Sequence, residues 1–253
     1  MDIDKYYEYK NTSFRERIFK DNFPLKYRCS CCGDGVLKFK PGTFGSTETV
    51  ESRKAQSHEE WEPDWISYVF SGCLICQSCE SPFYVSGTGF VEEQWDDIEG
   101  QIYYDVFYPL FFVPTIHLFN IPINTPEQVK KIIESAFSLA WADYSASGNK
   151  LRVALEIIID ELIPKSKDSL GNKINSLPVE MADIKAKLNA IKWLGNEGSH
   201  VANLEECDLA FAFKVIEKVL LTLYPNKDDT EKLMEKVHLI NKNKGSIVKK
   251  TVI

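Results

Sequence analysis

The chain has 253 residues, 44% of them hydrophobic and 26% charged, with a formal net charge of −7. That length is enough for one large or two small cores, and the composition is that of an ordinary globular protein, which excludes a disordered or fibrous chain. Residues 1–120 hold 11 Lys and Arg against 19 Asp and Glu, a net of −8, whereas residues 121–253 hold 19 against 18, a net of +1. Neutralising phosphates requires surplus cations, so any nucleic acid is expected on the second half, although a local patch can defy a net value.

The most apolar stretch, Ile102–Pro114, contains Asp105, Pro109 and Pro114 and falls short of the ~20 residues of a membrane helix. Met1–Lys20 alternates charges and aromatics with no apolar core of a secretory signal, so a cytoplasmic protein without a membrane span is expected. In that compartment, seven cysteines at metal-like spacing argue for zinc rather than disulfides.

Phe14, Ile18 and Phe19, with Arg15 and Glu16 outward, predict a short amphipathic helix ended by Pro24. Next come YRCSCCGDGVLKF at Tyr27–Phe39 and SGCLICQSCESPFYV at Ser71–Val85. Cys29 and Cys32 form one two-cysteine knuckle, and Cys76 and Cys79 form another. Two such turns bring four thiolates onto one tetrahedral ion of the Zn²⁺ type, with the apolar runs after them as ribbon strands. Cys73 also makes a CxxC unit with Cys76, and Cys31 lies inside the first pair. Cys79 is favoured as the partner of Cys76 because a strand-like run follows it. Four thiolates leave no open coordination position, so the expected Zn²⁺ is structural, and its removal should unfold a small ribbon.

Gly42–Asp64 is polar and reads as a loop, with His58 as a solvated surface histidine. Trp61, Trp65, Tyr68 and Phe70 predict a strand entering the second knuckle. Phe90–Ile123 is strand-like and aromatic, interrupted by Glu92, Glu93, Asp96, Asp97 and Glu99, a solvated carboxylate face. Pro109, Pro114 and Pro122 mark an extended connector, and His117 between apolar neighbours is a packing histidine.

The helical half opens with Thr125 as N-cap, Pro126 at N1 and Gln128 at N3. An apolar stripe runs from Val129 to Trp141. Beyond SASGN, Leu151–Pro164 gives a second helix carrying Arg152, Glu156 and Asp160 at intervals of four. A third helix is expected over about Val179–Leu194, interrupted at Gly195 or Gly198, a fourth over Glu205–Tyr224, and a last over Asp228–Asn243, before a tail with Lys242, Lys244, Lys249 and Lys250. There is no internal repeat and no phosphate-binding glycine loop, so no nucleotide cofactor is expected.

LRVALEIIIDEL, a linker, then IKWLGNEGSHV and a long apolar helix resemble the prokaryotic domain-of-unknown-function family numbered 4145, well over Thr125–Tyr224 and loosely over the front half. That family resembles the HEPN superfamily of helical bundles, many of them metal-independent ribonucleases, often dimeric, that work in toxin–antitoxin, restriction and anti-phage systems. The superfamily hallmark is an Arg, usually followed by a polar residue, then a His after four to six residues. His200 and Asn196 match its later part; Trp193–Gly195, where the Arg should fall, holds none. Lys192 lies one position outside that window, and Arg152 could stand in from the other helix. The resemblance thus implies His200 as acid or base, Asn196 orienting it, and Arg152 or Lys192 on phosphate, with Glu156 or Arg152 as structural partners in the competing reading.

The expected fold class is α+β: a four-cysteine zinc-ribbon β module over 1–123, then an antiparallel HEPN-like helical bundle over 124–253. The expected function is a zinc-binding, protein- or nucleic-acid-binding component of a defence, restriction or toxin–antitoxin system. The alternative is a metal-independent ribonuclease using His200. RNA or a partner protein, and a second copy of the chain, are the expected partners.

Overall fold

The structure is a computed structural model describing residues 3–19, 25–164, 167–200 and 204–246, of which 3–4, 197–200 and 227–232 are described by their backbone alone. Strands β1 (Ile18–Phe19), β2 (Leu37–Phe39), β3 (Gly45–Glu48), β4 (Ser67–Cys76), β5 (Pro82–Asp96) and β6 (Gly100–Val113) form one antiparallel sheet. Its order is β1-β6-β5-β4-β2, with β3 also paired to β4, and the sheet curls into a half-barrel. The expected α+β class holds, but the expected zinc ribbon does not. The sheet rests on β5 and β6, of 15 and 14 residues, too long for ribbon hairpins. Phe39, Phe70, Leu74, Phe83, Val85, Phe107 and Phe112 bury an apolar core of its own.

Pro109 does not end a strand, as the connector reading assumed. It sits inside β6 where the register shifts between Ser86 and Gly87, so that Gly87 faces Pro109 and Ser86 faces Phe111. A bulge tolerates a residue without an N–H, which an unbroken ladder does not. Gly87 is needed there: a Cβ on it would lie 2.1 Å from the Tyr108 carbonyl oxygen.

Two further expectations are corrected. Ile18 and Phe19 pair with Phe107 and Val106 as a strand, because the edge of β6 offers Ile18 complete burial. The first helix, α1, lies earlier, at Ile3–Lys10. Within the expected loop of Gly42–Asp64, β3 is followed by α2 (Val50–Ala55), whose N-cap Thr49 accepts from the Ser52 N–H.

The helical half consists of α3 (Glu127–Leu139), α4 (Tyr144–Leu162), α5 (Leu170–Asn175), α6 (Ala182–His200), α7 (Glu206–Leu223) and α8 (Lys227–Asn243). Helix α4 starts within the expected linker because Asp143 caps it, accepting from the Ala146 N–H. The expected Thr125 box does not form. Pro126 is the N-cap with no side-chain capping hydrogen bond, and Thr125 Oγ1 is buried with no hydrogen-bond partner among the described residues. Helix α6 runs through Gly195 instead of breaking there. A Cβ at that position would lie 2.8 Å from Arg152 Cβ and 3.2 Å from the Gly148 carbonyl oxygen, so the glycine's helix cost is offset by the close approach of α4.

The chain before the sheet also binds the helices. Tyr9 Oη donates to Asp208 Oδ1 at 2.6 Å. The Glu206 carboxylate accepts from Ser13 Oγ, from the N–H groups of Phe14 and Arg15, and from Arg15 Nε at 2.8 Å. Burial alone would raise this carboxyl's pKa. The Ser13 hydroxyl and the Arg15 N–H and guanidinium more than offset it and hold the group below the usual carboxylate value. Among the described residues, no helix is long and apolar enough to cross a membrane.

Candidate metal centre

The segment 25–29 runs antiparallel to 35–37, with Leu25 and Cys29 donating to the carbonyls of Leu37 and Gly35. Leu37 of β2 pairs in turn with Cys76, the last residue of β4. This ladder places the Cys29–Cys32 turn beside the β4–β5 turn, at one end of the sheet. The residue after each second cysteine takes a left-handed backbone: Gly33 at φ 81° and Glu80 at φ 60°.

The sulfurs of Cys29, Cys32, Cys76 and Cys79 all lie within 4.8 Å of one another. Cys29 Sγ is 3.6 Å from Cys79 Sγ, and Cys32 Sγ is 3.7 Å from Cys76 Sγ. Those separations exceed the ~2.05 Å of a disulfide and match the ~3.8 Å edge of a tetrahedron with metal–sulfur bonds of ~2.3 Å. Backbone N–H groups point at the sulfurs: Cys31 N at Cys29, Gly35 N at Cys32, and Ser78 N and Cys79 N at Cys76, each at 3.4 Å. Such donors stabilise thiolate, the form that ligates metal.

The electrostatics of the four are uneven without a cation. Burial pushes the Cys29 thiol up to about 12. Hydrogen bonds from Ser81, through its hydroxyl and then its backbone, draw Cys79 down to about 6. Four converging thiolates require a positive ion among them, and this donor set fits one thiophilic divalent cation with its coordination closed.

The two remaining front-half cysteines fall outside the centre. Cys73 lies three residues before Cys76 on one strand, hence on the opposite face and about 10 Å along. Cys31 is exposed on the turn, and all seven cysteines are free of disulfides. His58 is exposed beside Trp65, and Asp96 accepts from the N–H groups of Ile98 and Glu99 to close the β5–β6 turn. His117 lies tilted against the Phe137 ring, with centroids 5.1 Å apart.

A second cluster joins α4 to α6. Arg152 Nη1 donates to Asn196 Oδ1, and Arg152 Nε lies 3.3 Å from Glu156 Oε1. Arg152 and Glu156 border a cleft of about 330 Å³ that Asp160, Asp168, Ser169, Leu170 and Lys173 also line. Lys192 Nζ lies 4.1 Å over the Trp193 ring, and a Cβ at Gly171 would lie 3.4 Å from it. His200 ends α6; its side chain lies outside the described residues.

Two family models match the chain. Domain of unknown function (DUF8608) covers residues 17–112, and Domain of unknown function (DUF4145) covers residues 134–245. No curated protein and no solved structure matches it. The DUF8608 segment spans β1 to β6 with all four converging cysteines; the DUF4145 segment spans the helices from within α3 to α8.

In the DUF8608 segment the residue that the sequence concealed is Gly35. A Cβ there would lie 2.2 Å from Cys76 Sγ and 3.1 Å from Cys32 Sγ, so the centre closes only over a residue without a side chain. The signal was present in Cys-Gly-Asp-Gly, a turn with one glycine more than a left-handed backbone position requires.

Proposed function

We propose that this chain is a zinc-stapled binding protein without catalytic activity of its own. Its four thiolates hold a structural Zn²⁺, and its helical half is a HEPN-like bundle that engages a partner protein or nucleic acid in a prokaryotic defence, restriction or toxin–antitoxin system. The observation carrying this reading is the closed four-sulfur set, which leaves no coordination position for a substrate or a water. Arg152 adds support, since Asn196 and Glu156 already engage its guanidinium.

One observation favours a second reading, metal-independent RNA cleavage. Arg152 reaches α6 at Asn196, one turn before His200, which would bring to that helix the arginine its own sequence lacks. Incubating purified protein with RNA in EDTA separates the two. The expected result is no cleavage above a blank. Cleavage leaving cyclic-phosphate ends and lost in His200→Ala overturns the non-catalytic reading.

We also propose that the chain forms a homodimer through α8. Leu233, Met234, Val237 and Ile240 make a stripe on this helix and are all exposed, and a contiguous exposed apolar patch marks an interaction surface. Pairing with the same stripe of a second copy about a two-fold axis would cover it. Light scattering should give twice the chain mass, and Leu233→Glu with Ile240→Glu should give the single-chain mass. A single-chain mass for the unaltered protein rejects the proposal.

A further inference from the structure

The outer face of the sheet at its metal end combines cations and aromatic rings in a way that the acidic total of the front half conceals. The register fixes the arrangement. Lys38 pairs with Ile75, and Ile75 with Pro82. Two residues along, Lys40 donates its N–H to Cys73, Cys73 pairs with Tyr84, and Tyr84 with Val113. Two further on, Ser71 pairs with Ser86 and Ser86 with Phe111. The intervening rows hold Phe39, Leu74, Phe83, Val85 and Phe112, which are the core. Side chains alternate across a sheet, so Lys38, Lys40, Tyr84, Val113 and Phe111 share the opposite, outward face.

On that face Tyr84 is 64% exposed, Phe111 56% and Val113 68%. A shallow cleft of about 340 Å³ opens beside the two rings, with Lys40, Ser71 and Ser86 on its walls. The segment pairing with β2 adds Lys26 and Arg28, both exposed. Residues 25–40 thus carry four cations against one acid, Asp34. The largest group of carboxylates lies at the far end of the sheet, in Glu92, Glu93, Asp96, Asp97 and Glu99; nearer the cations are Asp34, Glu80 in the β4–β5 turn, and Glu16, whose Oε2 accepts from the Lys26 N–H at 2.6 Å.

We propose that this face binds single-stranded nucleic acid, with Tyr84 and Phe111 stacking on bases and Lys26, Arg28, Lys38 and Lys40 contacting phosphates. The two rings are diagonal neighbours on adjacent strands, about 7–8 Å apart at the backbone, so each can take its own base. Aromatic platforms bordered by cations bind single strands with little sequence preference, because every base has a stacking face. A duplex hides those faces, and a protein-docking patch depletes charge at its centre. The metal centre serves this surface by pinning the β2 ladder that carries the cations. The site lies in the other half of the chain from the helical cluster and stands or falls without it.

The test is fluorescence anisotropy of the full-length, metal-loaded chain with a fluorescein-labelled 12-nucleotide oligouridine. Binding is expected with a dissociation constant of roughly 10⁻⁴–10⁻⁶ M, weakening with salt at a log–log slope of about −2.8 for four phosphates. Tyr84→Ala and Phe111→Ala should each weaken it about ten-fold, Tyr84→Phe should retain it, and Lys38→Glu with Lys40→Glu should roughly halve the slope. Absence of saturable binding, equal affinity for a 12-base-pair duplex, or an affinity indifferent to both alanine variants overturns the proposal.

Discussion

Replacing Cys76 with serine, or stripping the metal with a chelator, is expected to lower the melting temperature by roughly 10–20 °C. An isolated zinc knuckle owes nearly all its stability to the ion and unfolds without it. This front half has a second source of stability, the apolar core between Phe39, Phe70, Phe83 and Phe107, so the loss should be partial. Opening the cysteine end removes the burial of Leu25, Leu37 and Leu74 there and leaves the remaining thiols crowded without a cation. A cost of about 5 kcal/mol corresponds to that shift at about 2–4 °C per kcal/mol for a chain of this size. Hydrogen exchange should show where the loss falls: faster at Leu37 and Cys76, little changed along the β5–β6 pairing. Gly35→Ala should reproduce the shift with every cysteine intact and with metal stoichiometry falling toward zero, because its Cβ would fall 2.2 Å from Cys76 Sγ. A melting temperature indifferent to chelation would remove the structural role from the ion.

The cysteine centre was legible because two CxxC turns are local patterns, and the structure brings together the four sulfurs that the sequence favoured. The ambiguity over Cys73 needed the strand assignment, which puts it on the wrong face. The sheet was much less legible. Its longest strands carry Gly87, Gly89 and Pro109 and several carboxylates, residues that normally argue for loops, and only the bulge opposite Ser86 and Gly87 reconciles them with a continuous ladder. The helices read well where a long apolar stripe ended at clear signals, as in α7; the stripes also located α4 and α6, but α4 begins seven residues before the expected Leu151 and α6 runs six residues past the expected Leu194. The six-residue α5 was missed because Leu170 and Ile174 are too few to show a period. Net charge was the least informative guide, since a total of −8 over residues 1–120 conceals the cationic run of residues 25–40. The Arg152–Asn196 contact was foreseeable only as a spatial option, because it depends on α4 and α6 meeting at two glycines.

The same limit applies to Trp141, which the sequence places on the apolar stripe of the first bundle helix. In the structure it lies just past α3, 1% exposed, within the core of the sheet. Its ring meets Phe112 at 4.8 Å and Phe14 and Tyr27 at 5.3 Å, all edge-on. Phe14 and Leu118 border both the sheet core and the helical core, so the indole fills the joint between them. Trp141→Ala is expected to cost about 3–5 kcal/mol through lost burial and the cavity left behind, a fall of roughly 6–20 °C at about 2–4 °C per kcal/mol. The joint then no longer couples the two cores, and calorimetry should resolve two transitions in place of one. Trp141→Phe should cost much less, because it keeps an aromatic edge in the joint and removes Nε1, a buried donor with no partner among the described residues. Metal stoichiometry should stay at one per chain in both variants, which distinguishes an uncoupled joint from a damaged cysteine centre. A single transition displaced by less than about 3 °C in Trp141→Ala would mean that the halves are held together elsewhere, with the Glu206 contacts to Ser13, Phe14 and Arg15 the next place to cut.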